Sequence, residues 1–249
     1  MKRIAGLLCL GLVTYAVTLV LAAPAARIIA WADPPGVTID GVDGRVWAGH
    51  ARRVEIAGAP VPLNDVRWDV TAWRLVTGEL GSEVAAGFAG LEAQGYVAVS
   101  GSGAVRVADM TVRGPVSTLL ERLPYPVAAA GSILARIESG SLVDGVPRAV
   151  RGRAVWSDAQ MQAPLAVGLG EVVAEFEPEG ETQVVDVRAR DGAVEIDGRI
   201  TVQVDGRYDI ELTLKPTEQA GSRVRDTLTL LGQPDAQGRY KVRQRGRLR

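Results

Sequence analysis

His50 is the one imidazole in this chain, and any Ser/His/Asp arrangement would need it as the base. It is flanked by Ala51, Arg52 and Arg53, and no Gly-x-Ser-x-Gly elbow is available to present a nucleophile. His50 therefore reads as a solvated surface residue. Zinc centres usually take three or four ligands from Cys, His and carboxylates, so one Cys and one His exclude a Cys/His metal site on count. The only thiol, Cys9, can form no intramolecular disulfide. A phosphate-cradling reading of Gly101-Ser102-Gly103 needs a third Gly and a helix N-terminus behind it, yet the residues that follow alternate like a strand. That segment reads as a hairpin turn. Carboxylates are numerous enough for an acid/base pair, but they alternate with apolar residues as on the wet face of a sheet. No catalytic, cofactor-binding or metal-ligating residue is assigned, and the chain reads as a non-enzyme without a cofactor.

The sharpest charged pattern is at the C-terminus. Arg239, Lys241, Arg243, Arg245, Arg247 and Arg249 occupy the odd positions, with Tyr240, Val242 and Leu248 among the residues between. On a strand these six cations share one face. They either protect an edge strand from self-pairing or form an interaction face for an acidic partner or anionic lipid. The whole chain gives no general attraction to nucleic acid, because 28 Lys and Arg face 29 Asp and Glu, for a formal net charge of −1.

The elements that must carry these residues are mostly strands. The 249 residues are 47% hydrophobic and 23% charged, which describes a folded chain of one or two domains. Val194, Ile196, Ile200, Val202 and Val204 alternate with polar residues, and the same parity continues after Asp205-Gly206 through Tyr208, Ile210, Leu212 and Leu214. This predicts a long antiparallel hairpin turning at Asp-Gly, with one face apolar and covered on that side only. Shorter alternations at Val66–Val70, Val97–Val99, Val105–Val107, Ile133–Ile137 and Val185–Val187 extend the pattern. Two short helices are expected. One carries Val116, Leu119, Leu120 and Leu123, with a Thr118/Glu121 capping spacing and a stop at Pro124. The other carries Val224, Leu228 and Leu231 between Ser222 and Gly232. Val116, Leu120, Leu123 and Pro126 map at one spacing onto Val224, Leu228, Leu231 and Pro234, suggesting a duplication with halves at about 37–130 and 131–249. Trp47, Trp68, Trp73 and Trp156 are expected to plug the space between sheet and helix.

Ile4 to Ala26 is a run without charge, preceded by Lys2 and Arg3 and followed by Arg27. As a helix it would measure about 34 Å, enough to cross a hydrocarbon core of about 30 Å. Ala23-Pro24-Ala25 resembles a signal-cleavage site, but the run exceeds the usual 7–15-residue apolar region of a signal peptide. A retained anchor is the expectation. Positive charge at the N-terminal end predicts a cytoplasmic N-terminus, with the bulk of the chain on the far side. The expected organisation is a stub and transmembrane anchor over 1–30, a Pro/Gly junction over 31–36 and a β-rich domain over 37–249.

Taken in order, several motifs resemble those of the type II secretion system protein N family of Gram-negative bacteria. They begin with Pro34-Pro35-Gly36-Val37, then Gly41-Val42-Asp43-Gly44-Arg45-Val46-Trp47-Ala48-Gly49. Leu63-Asn64-Asp65-Val66-Arg67-Trp68-Asp69-Val70 and Leu75-Val76-Thr77-Gly78-Glu79-Leu80 follow. The later ones are Gly152-Arg153-Ala154-Val155-Trp156, Leu230-Leu231-Gly232-Gln233-Pro234 and Gly238-Arg239-Tyr240. Gly44, Trp47, Gly49, Trp68, Gly78, Gly152, Trp156, Gly232 and Pro234 are the structural positions these motifs mark. The resemblance implies an inner-membrane-anchored accessory subunit of a protein-secretion machine, partnered by other inner-membrane subunits and the outer-membrane secretin. It implies no catalytic residues. It also implies an AsmA-like architecture, in which a twisted, curled antiparallel sheet makes an open groove or half-barrel. The alternative function is then a periplasmic groove that binds or transfers lipid.

Overall fold

The computed structural model describes residues 23–32, 36–57, 61–70, 80–99, 104–120, 128–143, 146–163 and 166–247. The chain divides into two compact units, Met1–Phe88 and Ala89–Arg249. Both are built from antiparallel strands, each next to its neighbour in sequence. Among the described residues no helix is long and apolar enough to cross a membrane. The run from Ile4 to Ala22 lies outside them, as do Trp73, Gly78, the Gly101–Gly103 turn, Glu121 and Arg249.

The first unit contains α1 (Ala25–Ala32), β1 (Val37–Gly44), β2 (Ala48–Ile56), β3 (Leu63–Val70) and β4 (Leu80–Phe88). Ala23 and Pro24 are not helical, so the helix that starts at Ala25 and runs to Ala32 straddles the expected end of the anchor and the start of the junction. Gly44 turns β1 into β2 at φ 89°, and a Cβ there would sit 2.8 Å from the Ala48 carbonyl oxygen. Arg45 N–H donates to that carbonyl at 2.9 Å, and Ala48 N–H donates back to Arg45 at 3.2 Å. One step along, Gly49 faces Trp68 on β3, whose ring occupies the place a side chain at 49 would need. The Trp68 indole N–H donates to the Val46 carbonyl at 2.9 Å, tying β3 to the turn. A glycine opposite a large ring keeps the pair close while the ring covers the exposed backbone.

The second unit contains β5 (Leu91–Val99), β6 (Val105–Pro115), α2 (Val116–Leu120), β7 (Ala128–Val143), β8 (Val146–Ala163) and β9 (Val167–Glu179). It continues with β10 (Thr182–Arg190), β11 (Val194–Gln203), β12 (Arg207–Pro216), α3 (Ser222–Thr229) and β13 (Tyr240–Arg247). The strands form an open, uncurled meander instead of the expected curled groove or half-barrel, because each strand pairs only with its sequence neighbours and among the described residues no ladder returns from β13 to β5. The hairpin expected around Asp205-Gly206 is present: Ile200 pairs with Ile210 and Val202 with Tyr208. Gly206 has φ 80° and donates its N–H to Gln203 at 2.9 Å, while the Asp205 carboxylate accepts from Arg207 N–H at 3.0 Å. Gly198 and Gly246 repeat the arrangement at Gly49, lying under the side chains of their partners Leu212 and Tyr208.

The helices differ from expectation at their ends. Residue 221, a glycine, is the N-cap of α3 and no side chain caps it, so Ser222 is the first helical residue. Thr118 donates its hydroxyl to the Pro115 carbonyl at 3.0 Å, back toward the end of β6. Val224 and Leu228 of α3 meet Val194, Ala220 and Tyr240 in the one cluster of buried residues defined among the described residues, with Ile196 and Leu214 packed beside it. Trp47, Trp68 and Trp156 are only half-buried. Instead of plugging a space between layers, Trp68 and Trp156 lie along the strands, Trp156 donating to the Ala130 carbonyl at 3.0 Å. The physical reason is the thin cover: among the described residues no large side chain is fully buried.

Candidate interaction surface

The register of the second unit decides what its charged residues face. One rung crosses seven strands as Arg136, Arg153, Glu175, Asp186, Arg199, Glu211 and Arg243, each hydrogen-bonded neighbour standing beside the next. The adjacent rung, pointing to the opposite face, reads Ala135, Ala154, Ala174, Val187, Gly198, Leu212 and Val242. A slip of one residue in any strand would exchange these faces, so the charges and the apolar residues specify the same register. Arg199 grips Asp186 through two bonds of 2.8 and 3.0 Å, and Glu175 takes Arg153 at 4.0 Å and Arg188 at 3.7 Å. Solvent screening leaves such exposed pairs little net stabilisation, so their value is in pairing specificity more than stability.

The C-terminal cations fall into this pattern. Lys241, Arg243, Arg245 and Arg247 share the charged face of β13, which is hydrogen-bonded to β12. Arg243 reaches Glu211 at 2.8 Å and Asp209 at 3.0 Å, and Arg245 reaches Asp209 at 2.8 Å. Arg247 donates to the Asp205 main-chain carbonyl at 3.0 Å, and Lys241 stands opposite Thr213. Arg239 precedes the strand. Its N–H and guanidinium both bond Asp235, which also accepts from Gln237 N–H, so Arg239 closes the loop into β13. The structure therefore places two of the six cations against carboxylates of β12, one in a turn and Arg247 beside Asp205, and leaves Lys241 exposed opposite Thr213.

The carboxylates Asp205, Asp209, Asp186 and Asp235 are the partners that sequence reasoning missed. Asp209 and Glu211 share the odd parity of the arginines, and that was the available signal. A helix and its loops separate β12 from β13, however, so no turn announces the register. Arg243, then Arg245, hold the Asp209 carboxyl below its usual value of 3.8, and hydrogen bonding from Arg199 does the same for Asp186. Main-chain N–H groups of Arg207 and Arg239 lower Asp205 and Asp235. A general acid needs a carboxyl kept protonated near neutral pH, and these four are held ionised instead. A shallow depression of about 580 Å³ between Asp186, Arg188, Asp197, Arg199, Glu211 and Lys241 carries both signs of charge. In the first unit His50 Nε2 lies 3.6 Å from Asp65 Oδ1, beyond hydrogen-bond range, beside Arg67 on β3.

A depressed native carboxyl stabilises the fold above the unfolded-state value, and that contribution is lost as pH falls through the native value. Stability is therefore expected to fall as pH drops below about 3.8. Asp209→Asn should flatten this slope by lowering neutral-pH stability toward the acid value while leaving stability below the native carboxyl's range unchanged, as read from urea midpoints of the full chain measured across pH. An unchanged slope would mean that the Asp209–arginine contacts do not persist in solution.

The sequence profile of the family described as Type II secretion system (T2SS), protein N, matches residues 35–243. The chain belongs to that family. Protein N of Aeromonas hydrophila is 28% identical over 258 aligned positions covering the full length of both chains. Protein N of Vibrio cholerae serotype O1 is 28% identical over 221 positions, covering 86% of each chain. No solved structure matches. In this member of the family the marked residues Gly44, Trp47, Gly49 and Trp68 gather around the β1–β2 turn, Gly152 and Trp156 lie on β8, and Gly232 and Pro234 lie between α3 and β13.

Proposed function

We propose that this chain is an inner-membrane-anchored, non-enzymatic accessory subunit of the type II secretion system. It supports export of folded proteins across the outer membrane through contacts with platform subunits and the secretin. The N-terminus is cytoplasmic, residues 1–30 hold the anchor, and the β-rich bulk over 37–249, carrying the duplication, is periplasmic. The observation that carries this reading is the family match across residues 35–243. The exposed cations Lys241 and Arg247 on β13, with Arg243 and Arg245 beside them, supply the candidate docking face.

Replacing Arg239, Lys241, Arg243, Arg245, Arg247 and Arg249 with Ser is expected to weaken co-purification with secretion subunits in a salt-sensitive manner, because exposed charges act through screened attraction. Crosslinkers placed in cells at Thr38 on β1 and at Lys241 should capture a platform subunit or the secretin. Unchanged co-purification and capture of no secretion subunit would overturn this reading.

A second reading rests on the apolar face of β8–β12, where Phe176, Val185, Ile200 and Ile210 are half-buried and away from the α3 cluster. An open sheet with one apolar face needs a cover on that side, and a lipid would supply it. Stoichiometric lipid on the purified chain in native mass spectrometry would favour it.

A further inference from the structure

The first described residues are already built into the sheet. Ala23 accepts a hydrogen bond from Val46 N–H at 3.1 Å, and Pro24 bridges Arg45, so the chain meets the β1–β2 turn within the last four residues of the uncharged run. Helix α1 starts at the next residue. Ala25, 1% exposed, and half-buried Ile29 sit one turn apart and face the unit, while Arg27, Ile28 and Trp31 face away. Trp31 is 86% exposed and Ile28 40% exposed. A bare Trp is unusual on a water-facing surface, whereas Trp is enriched at the headgroup level of membranes. The helix carries Arg27 and no carboxylate, and Arg45 is exposed at the adjoining turn, which suits anionic phosphates.

We propose that α1 lies in the headgroup layer of the membrane, with Ile28 and Trp31 dipped into the interface, so that the β1–β2 turn is held flush against the bilayer. This rests on the anchoring proposed above, and it names the surface that α1 occupies. With no free linker between the uncharged run and the turn, the first unit has one end fixed at the membrane. Thr38 and Glu55, paired at the far end of the hairpin, are then about 20 Å away along the strands at 3.3 Å per residue.

The test uses the full chain with Cys9→Ala, reconstituted in phosphatidylethanolamine/phosphatidylglycerol vesicles, with a nitroxide on Ile28→Cys, Trp31→Cys or Glu55→Cys. All three positions are exposed in the structure, so labelling leaves the packing intact. Positions 28 and 31 are expected to show a several-fold lower collision rate with an aqueous nickel chelate than position 55, and a higher rate with oxygen. Equal chelate access at all three, in protein that withstands a carbonate wash, would overturn this inference and leave the anchor standing. Release of the protein by the wash would overturn both.

Discussion

Gly152→Val is expected to destabilise the second unit by about 3 kcal/mol or to prevent its accumulation, a larger effect than any charge removal on its surface. Gly152 on β8 pairs with Ile137 on β7, and between that pair and Ser139–Arg151 the register shifts by the extra residue Glu138. A bulge of this kind kinks β7 and brings its backbone toward its partner. A Cβ at 152 would strike the Arg136 carbonyl oxygen and lie 2.9 Å from the Ile137 Cα. The β7 main chain cannot rotate away as a side-chain tip can, so relief requires the strands to separate. Gly168→Ala provides the contrast, because a Cβ there has nothing within 4 Å. That variant should stay within about 1 kcal/mol of the parent, or gain slightly from a stiffer unfolded chain. Thermal unfolding and protease resistance of the two variants measure the difference. Equal stability would mean that β7 and β8 are not bulged together at this position.

Leu10→Arg combined with Val13→Arg is expected to abolish membrane retention. Each arginine near the centre of a spanning helix costs about 2.5–3.5 kcal/mol of insertion free energy. Together they disfavour insertion by roughly 5–7 kcal/mol, on the order of a ten-thousand-fold change in the equilibrium. Ala23 and Pro24 are not helical, and the part of the uncharged run before them, Ile4–Ala22, would measure about 28 Å as a helix, still close to the thickness of the hydrocarbon core. Carbonate extraction of cells should move the double variant out of the membrane fraction, and secretion of exported enzymes should fall with it. The intact mass of the native product bears on the same point. The residues that resemble a cleavage site are part of the fold, with Ala23 bonded to Val46 and Ala25 buried. A mature chain beginning near Ala26 would sink the anchored reading.

Much of the architecture was legible because a strand's side-chain period of two writes its faces directly into the sequence. The β11–β12 hairpin is the clearest instance: apolar even positions, polar odd positions and a single Asp-Gly step are enough to place both faces and the turn. The helix at Val224 and Leu228 was equally legible from its spacing. The C-terminal arginines were readable as one face of a strand, but their surroundings were not. Pairing of Arg243 and Arg245 with Asp209 depends on β13 coming back beside β12 after α3 and a loop, and no local turn chemistry specifies that return.

The sequence by itself determined the strand-rich class, the polarity of each strand face, the uncharged N-terminal run and the order of the family's motifs. These depend on local alternation and composition, which neighbouring residues carry without reference to distant ones. Tertiary structure alone decided that Trp68 and Trp156 rest along strands, that Gly152 sits under a bulged neighbour, and that part of the basic stripe is neutralised by β12. It also decided that Trp31 stands bare on a helix pinned at the β1–β2 turn. Each of these is a meeting of residues far apart in the chain, and register and packing, rather than spacing, bring them together.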